Sequence, residues 1–250
     1  MQKSRLHLNS EPFQPTPNPA ISFKKENPMD YPALLAVLQQ HANPERAMPM
    51  QAYMKHRFAY FGIGKPELAR LCRPFFKDAA KQAIDWDFVH RCWDDPHREL
   101  QYAALEYLKK MQQHLTPQNI PRLQTLITEK SWWDSADVLD RIVGDIALRH
   151  PEVNAVLLAW STDDNIWLRR VAIDHQLLRK QHTDTALLEK IICNNLGKKE
   201  FFINKAIGWA LRDYSKTNPA WVQGFIDRHR HKMAKLSLRE AGKYLPPEAT

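Results

Sequence analysis

The sequence predicts an all-α fold, a right-handed solenoid built from stacked antiparallel helix pairs. Three observations predict it. Only seven glycines occur in 250 residues, which leaves few positions for tight hairpins between strands. Most apolar residues recur at helical spacing. A loose repeat with a period of 33 to 36 residues also runs along the chain.

The helices are predicted from this apolar periodicity and from the residues that interrupt it. Breaks such as Thr116–Pro117, His150–Pro151 and Asn218–Pro219 are typical of helix boundaries. Short connections of this kind join antiparallel neighbours. The predicted helices lie near residues 31–42, 46–59, 65–80, 85–94, 97–114, 118–128, 132–149, 151–160, 165–180, 184–195, 200–215, 219–230 and 236–244.

Equivalent positions recur in the second helix of successive predicted pairs. Two helices per unit at this period are typical of a solenoid, in which stacking of the units creates the core. If the aligned helices line the inner, concave surface, three cations and one carboxylate face one basic groove. The alternative is that these charges lie solvated on unrelated helix faces. The aligned residues, spaced 36, 33, 35 and 34 residues apart, are Gln101, Asp137, Arg170, Lys205 and Arg239.

The chain divides into a tail and one domain. Residues 1–28 contain five prolines among polar residues, a composition that buries too little apolar surface to fold, so we predict a flexible tail. A mitochondrial presequence is the alternative, since Lys3 and Arg5 precede the first acidic residue, but the prolines disfavour the amphipathic helix that such a signal needs. Residues 29–250 are predicted to form a single helical-repeat domain.

The positive charge is concentrated in the last third of the chain. Residues 1–164 carry 20 basic and 20 acidic side chains and residues 165–250 carry 16 and 8, so the formal net charge of +8 arises entirely after residue 164. Such an excess attracts nucleic acid, an acidic protein or a membrane surface. The basic run RHRHK, Arg228 to Lys232, is a candidate phosphate-proximal patch or simply a solvated helix end.

Cysteine and histidine usage points to neither a disulfide framework nor a metal site. Cys72, Cys92 and Cys193 are widely spaced, and the 11 histidines show no HxxxH or HExxH spacing. No apolar run approaches the roughly 20 residues of a membrane span, and the N-terminus lacks a signal-peptide core. We therefore expect a cytoplasmic protein with no cofactor, no metal and no membrane partner.

The segment SWWDSADVLDR places an aromatic ring and a carboxylate on one helix face. Trp133 and Asp137 are four residues apart, with Arg141 four further on. Trp132 points about 100° away and is the better candidate for the core. The alternative is that both tryptophans belong to the core and that Asp137 pairs with Arg141 on the helix surface.

A second segment, KEFFINKAIGWALRDYSK, places an aromatic ring among cations. Lys205, Trp209 and either Arg212 or Asp213 follow at i, i+4 and i+7 or i+8, and so share one helix face. Gly208 is costly in a helix interior and suggests close approach by another backbone or by a ligand. A tryptophan between cations is a reasonable nucleic-acid contact, although burial in the core is the commoner use of this residue.

The third segment, TDDNIWLRRVA, supplies a further arginine. Asp163 or Asp164 is predicted to cap the helix, and Trp167 and Val171, four residues apart, are predicted to be buried. Arg170 lies on a different face from both, where an arginine can reach a phosphate.

These segments resemble the AlkD-type DNA alkylation repair family of HEAT-like DNA glycosylases. The resemblance covers most of the chain after about Asp30, and its distinctive part ends before about Lys235. The similar segments are SWWDSAD, DNIWLRRVAI at 164–173, KEFFINKAIGWALRDYSKTNP at 199–219 and, upstream, YMKHRFAYFGIGKPELARL at 53–71.

The resemblance implies a DNA glycosylase of base excision repair. Its substrates would be cationic N3- or N7-alkylated purines in duplex DNA, such as 3-methyladenine and 7-methylguanine. Trp133, Asp137 and Trp209 match the family's catalytic trio. Arg170 and Arg212 match positions in the cleft and along the DNA backbone. Lys205 and Arg239 are added from the aligned positions and Tyr53 from the upstream segment. The predicted DNA-binding set is therefore Arg170, Lys205, Arg212, Arg239 and Tyr53.

The family leaves the lesion stacked in the duplex, which agrees with a sequence that shows no evident base-reading pocket. Some relatives lack the carboxylate and bind DNA structures without cutting, so the retained Asp137 favours the enzyme. A non-catalytic DNA-structure binder and a HEAT-type protein-interaction adaptor are the alternatives. A groove that wraps DNA needs only one chain, so we expect a monomer.

Overall fold

The computed structural model describes residues 29–245, and these form thirteen α-helices. The predicted tail, residues 1–28, lies outside the described residues. Within 29–245 the only β-pairing is an isolated bridge between Ala59 and His97. The helices are α1 Tyr31–Gln40, α2 Pro44–Tyr53, α3 Lys65–Cys72, α4 Trp86–Asp94, α5 Arg98–Lys110, α6 Ile120–Thr128, α7 Trp133–Arg149, α8 Asn154–Trp160, α9 Ile166–Asp174, α10 Thr185–Cys193, α11 Phe201–Ser215, α12 Pro219–His229 and α13 Lys235–Ala241.

Short 3₁₀ segments lie in several of the connections. They are Ala79–Lys81, Gln112–His114, Pro117–Asn119, Pro151–Val153, Lys180–His182, Arg230–Lys232 and Gly242–Tyr244.

Polar side chains cap the starts of several helices. Asp30, Asp85 and Asp184 each accept a hydrogen bond from the backbone N–H three residues on, which satisfies a donor that the helix leaves free. At α9 the predicted cap is wrong. Asn165 caps the helix by accepting from the Trp167 N–H at 2.9 Å, and Asp163 instead accepts from the Asn165 N–H at 2.8 Å.

The second and ninth helices are shorter than predicted. After α2, Lys55 and His56 have φ values of 58° and 54°. After α9, Leu178 and Lys180 have φ values of 69° and 53°. A left-handed backbone cannot continue a right-handed helix, so the chain turns at these residues.

One helix of each pair packs against its counterpart in the next pair. In sequence order α5 contacts α7, α7 contacts α9, α9 contacts α11, and α11 contacts α13. α4, α6 and α8 each contact the helix that follows in sequence, and α12 contacts α11, the helix that precedes it. The helical-repeat fold predicted from the sequence is therefore confirmed. The row α5–α7–α9–α11–α13 carries, one on each helix, Gln101, Asp137, Arg170, Lys205 and Arg239.

The core is one cluster of buried apolar side chains that extends from Leu34 to Ala241. The buried positions predicted in α9 are confirmed, since Trp167 is 8% exposed and Val171 is fully buried. A smaller cluster in the N-terminal segment, which includes Tyr60, packs against the start of α7.

Two glycines permit close approach within the row. A Cβ on Gly144 of α7 would lie 2.0 Å from the carbonyl oxygen of His175, at the end of α9. A Cβ on Gly208 of α11 would lie 2.5 Å from the Cβ of Glu240 in α13. The close approach predicted at Gly208 is therefore made by the next helix of the row. None of the described helices is both long and apolar enough to cross a membrane.

Candidate functional site

Asp137 and Arg170 form the centre of the candidate site. They lie on α7 and α9, which are neighbours in the row. Arg170 donates from Nε to Asp137 Oδ1 at 2.8 Å, and its Nη2 lies 2.7 Å from the same oxygen. Arg170 Nη1 donates to the carbonyl of Phe202 in α11 at 2.8 Å. One guanidinium therefore ties three helices together at Asp137.

The carboxylate is partly open to solvent, whereas the arginine is not. The Asp137 side chain is 17% exposed and that of Arg170 is 2% exposed. Burial raises the pKa of Asp137, and the positive charge and hydrogen bond of Arg170 oppose that rise. Both contacts from Arg170 reach Oδ1, and Oδ2 takes no part in them.

The alternative partner for Asp137 is not found. Arg141 lies 3.5 Å from Asp140 instead, and its side chain is 42% exposed. Because the partner of Asp137 comes from the next repeat, the carboxylate belongs to the interface between repeats and not to the surface of α7.

Two further carboxylates, missed from the sequence, surround this pair. Asp140 and Asp174 are buried, and one oxygen of each lies within 4.8 Å of the other and of Asp137. Burial, reinforced by Asp174, raises the pKa of Asp140 well above its usual value, and burial raises the pKa of Asp174 to about 7. Carboxyl groups this close repel one another when ionised, which favours a proton within the cluster. Arg170, 3.7 Å from Asp174, supplies the cation among them.

Trp209 on α11 packs against the same arginine. The ring is half-buried, and the Arg170 guanidinium carbon lies 5.5 Å from its centroid. Lys205 Nζ and Arg212 Cζ each lie 5.7 Å from it. The aromatic residue among cations that was predicted here is present, and one of the cations comes from the neighbouring helix α9.

Two of the predicted DNA-binding cations share a carboxylate of α13 that the sequence did not reveal. Lys205 Nζ donates to Glu240 Oε1 and Arg212 Nη1 donates to Oε2, both at 2.6 Å. The hydrogen bond from Lys205 is the largest of the interactions that lower the pKa of Glu240. Both cations remain about a quarter exposed, at 27% and 26%.

The predicted DNA-binding residues therefore differ in accessibility. Arg239 on α13 and Tyr53 at the end of α2 are exposed. Arg170, expected to contact phosphate, is buried and directs its donors at Asp137 and a backbone carbonyl. Its position beneath the carboxylate follows from the packing of α9 between α7 and α11.

Trp133 opens α7 beside an aromatic cavity. Tyr53 meets the Trp133 ring edge-on, with ring centroids 6.0 Å apart and planes at 85°. The two residues line a cavity of about 390 Å³ together with Tyr60 and Tyr102. No such pocket was evident from the sequence, because its walls come from three separate segments of the chain.

Trp132, one residue earlier, faces the other way. Its ring lies 5.8 Å from that of Trp167 and 5.2 Å from that of Phe202. The Arg57 guanidinium lies 4.2 Å above it. The two tryptophans have different ring neighbours, but helical spacing does not account for this, since Trp132 precedes α7 and has an extended backbone.

A buried ion pair fixes the start of α7. Arg98 donates from Nε and Nη2 to the two oxygens of Asp134 at 3.0 and 2.7 Å, and both side chains are almost fully buried. The Tyr102 hydroxyl donates to Asp134 Oδ2 at 2.6 Å. This bidentate contact holds the turn that carries Trp133 and Asp137.

The missed partners lie about one repeat away in sequence. Arg98 and Asp134 are 36 residues apart, as the repeat alignment would predict for neighbouring repeats. Opposite charges spaced one repeat period apart in the sequence are the signal that would have revealed these contacts. The pairs with this spacing include Arg98–Asp134, Asp137–Arg170 and Lys205–Glu240.

Helix pairs stacked so that one helix of each pair packs in a continuous row define a HEAT-like helical-repeat fold. The chain belongs to the DNA alkylation repair enzyme family, whose family model matches residues 34–245.

Similar solved structures agree with this assignment. A protein described as a predicted DNA alkylation repair enzyme from Enterococcus faecalis is 34% identical, with a TM-score of 0.77 over 82% of this chain and 97% of that one.

Two proteins from Streptococcus mutans share the fold. AlkD2 is 15% identical, with a TM-score of 0.55 over 72% of this chain and 98% of that one. The protein smu.31 of strain UA159 is 14% identical, with a TM-score of 0.56 over 73% and 99%. No curated protein matches the sequence.

Proposed function

We propose that the protein is a DNA glycosylase that hydrolyses the N-glycosidic bond of cationic N3- and N7-alkylated purines, such as 3-methyladenine and 7-methylguanine, in duplex DNA. The observation that carries the proposal is the placement of Asp137. Its carboxylate is held by Arg170, keeps one oxygen free of that contact, and lies one helical turn after Trp133.

The chemistry suits a site without a general acid. An N3- or N7-alkylated purine already carries a positive charge, so it leaves as a neutral base without protonation. The positive charge then develops on the deoxyribose as an oxocarbenium ion. A carboxylate fixed in advance beside that sugar lowers the energy of the transition state.

Asp137 would stabilise this cation and orient the attacking water. Both tasks require the ionised carboxylate, whereas burial alone would favour the protonated form. Arg170 counters the effect of burial, and the proton retained near Asp140 and Asp174 removes a competing negative charge. Arg170 is therefore a positioning residue in this mechanism.

Trp133 and Trp209 would contribute unequally. A tryptophan face attracts a cation by roughly 0.5–2 kcal/mol, depending on solvation. Trp209 already has three cations around its ring, which repel a further positive charge. Trp133 has Tyr53 edge-on as its neighbour, and we assign it the larger share of transition-state stabilisation.

Duplex binding would rest on the cations that remain accessible along the row. Lys205, Arg212 and Arg239 would contact phosphates, and Tyr53 would contact the strand next to Trp133. Such contacts position the duplex without reading its sequence. One chain supplies the whole set, so the protein would act as a monomer on chromosomal DNA in the cytoplasm.

We further propose that the damaged nucleotide stays stacked while its sugar reacts. The cavity beside Trp133 is the structural alternative, because about 390 Å³ has room for an extruded base. The two modes differ in substrate range. Hydrolysis of a stacked, cationic nucleotide depends on the charge of the base, whereas a base-reading pocket could also release a neutral base.

A substrate series tests the proposal. Duplexes containing one 7-methylguanine, one uracil or only normal bases are incubated with the wild-type protein, and free base is measured by chromatography. We expect release of 7-methylguanine alone, since uracil must gain a proton to leave and the carboxyl groups that favour protonation, Asp140 and Asp174, are buried out of its reach. Release of uracil at a comparable rate would indicate the cavity as a base pocket.

Binding measurements separate the remaining functions. Absence of release together with steeply salt-dependent duplex binding would identify a non-catalytic DNA-structure binder. Absence of both activities would favour a protein-interaction adaptor.

A further inference from the structure

Three side chains of types that can bind a metal ion converge between α10 and α12. His229 Nε2 lies 2.9 Å from Glu189 Oε1 and 3.7 Å from Cys193 Sγ. All three donor atoms lie within 4.8 Å of one another. Cys193 is the one exposed cysteine of the chain, since Cys72 and Cys92 are buried.

The shared nitrogen distinguishes this cluster from a catalytic triad. In a triad the acid binds one imidazole nitrogen and the nucleophile binds the other. Here the carboxylate and the thiol both approach Nε2 of His229. A proton on Nε2 can serve only one of these two acceptors fully, whereas a metal ion can bind all three donor atoms.

Two of the three distances between the donor atoms can be compared with those of tetrahedral zinc. Zinc bonds of roughly 2.0–2.3 Å to nitrogen, oxygen and sulfur place neighbouring ligand atoms about 3.4–3.6 Å apart. The sulfur–nitrogen distance of 3.7 Å is already close to this value. The oxygen–nitrogen distance of 2.9 Å must widen by about 0.5 Å, which a rotation of the partly exposed Glu189 side chain provides.

The backbone holds the three donors in place. Glu189 and Cys193 are four residues apart in α10, so they share one face of that helix. His229 ends α12, and its ring packs against the buried Phe225 with centroids 4.6 Å apart. Arg228 Nη2 lies 3.0–3.1 Å from the Glu189 oxygens and orients the carboxylate.

We propose that Glu189, Cys193 and His229 form a zinc site whose fourth ligand is water. Thiolate, imidazole and carboxylate together are a donor set that suits Zn²⁺ better than Mg²⁺ or Ca²⁺. On binding, the Cys193 thiol releases its proton to solvent as the Zn–S bond forms, and neutral His229 binds through the Nε2 lone pair. The nearby Arg228 opposes the ion's charge, so the site is weaker than a four-ligand structural site.

The zinc site would cross-link one repeat to the next. Cys193 and His229 are 36 residues apart, which is the repeat period, and for that reason no zinc-ligand spacing is visible in the sequence. The cluster lies on α10 and α12, outside the row that carries Asp137. Zinc would therefore stabilise the C-terminal repeats without taking part in base release.

The test uses the full chain without an affinity tag, prepared metal-free and with its thiols reduced. Titration with Co²⁺ should produce a thiolate-to-cobalt charge-transfer band and the visible bands of tetrahedral cobalt, with one ion bound per chain. Excess Zn²⁺ should remove these bands and raise the melting temperature. Cys193→Ser should abolish the charge-transfer band, and His229→Ala should weaken binding at least tenfold.

The matched control is His231→Ala, which changes an exposed histidine two residues from His229. It should bind cobalt as the wild type does. The proposal is overturned if the metal-free wild type binds no Co²⁺ or Zn²⁺, or if Cys193→Ser, shown to be folded by circular dichroism, retains the wild-type spectrum. Neither result depends on glycosylase activity.

Discussion

Arg170 contacts a single oxygen of Asp137, with Nε at 2.8 Å and Nη2 at 2.7 Å. Its Nη1 donates to the Phe202 carbonyl at 2.8 Å. A guanidinium with so many fixed contacts is not free to follow a phosphate. Arg170 therefore supports the carboxylate, and loss of the arginine should change the protonation of Asp137.

Arg170→Met should shift the pH dependence of base release. Arg170 lowers the pKa of Asp137 against the rise caused by burial, so its removal moves that pKa upward. The carboxylate must be ionised to act, and the acidic limb of the pH–rate profile should therefore move to higher pH. Arg239→Met, which removes an exposed arginine, is the control and should leave the limb in place. If the acidic limb of the pH–rate profile lies at the same pH in Arg170→Met and in the wild type, Arg170 does not act as a positioning residue.

Trp132, Trp133 and Trp209 should respond differently to replacement by alanine. Trp133→Ala should slow base release more than Trp209→Ala, because the Trp209 ring is already surrounded by cations. Trp132→Ala should cost about 2 kcal/mol of stability, below the roughly 3–5 kcal/mol of a fully buried ring. That loss corresponds to a melting temperature lower by about 4–8 °C. Equal losses of activity and stability in all three variants would refute the distinction.

Glu240→Gln should strengthen duplex binding. Glu240 occupies donors of both Lys205 and Arg212, and its neutral replacement frees them for phosphates. We expect higher affinity at low salt and a salt dependence steeper by about one to two phosphate contacts. Fluorescence anisotropy at several salt concentrations measures both. Unchanged affinity and slope would mean that the pairing persists in the complex or that the cations do not reach DNA.

Asp174→Asn should remove a pH-dependent loss of stability. Burial raises the pKa of Asp174 to about 7 in the folded protein, so folding favours its protonated form. The stability from this group is complete below about pH 4 and is lost as the pH rises to about 7. Between pH 5 and 8 the melting temperature of the wild type should therefore fall relative to that of Asp174→Asn. The exposed Asp227→Asn is the control, and parallel curves for all three proteins would show that Asp174 is not protonated.

The fold was predictable because its signals are local. Apolar periodicity and boundaries such as Asn218–Pro219 act within a few residues, and each predicted helix has its counterpart in the structure. Helix ends that are set by the backbone conformation were harder to predict from the sequence. Nothing in the residue types marks Lys55 or Leu178 as left-handed.

The electrostatics of the site could be predicted only in part. The face shared by Trp133 and Asp137 follows from helical spacing, but the choice of Arg170 over Arg141 as partner depends on how closely α7 and α9 pack. Asp174 is four residues after Arg170, so its proximity was visible in the sequence. The burial of Asp174 could not be predicted from the sequence, because it depends on the neighbouring helices.

The most direct test of the central claim is single-turnover release of 7-methylguanine from duplex DNA by the wild type and by Asp137→Asn. Asparagine keeps the size of the side chain and removes its charge, and circular dichroism and anisotropy establish that folding and duplex binding are retained. The expected result is a rate lower by a factor of about 10² or more, as for the loss of a preorganised electrostatic group. Release at the wild-type rate by the folded, DNA-bound variant would show that Asp137 is not the catalytic carboxylate.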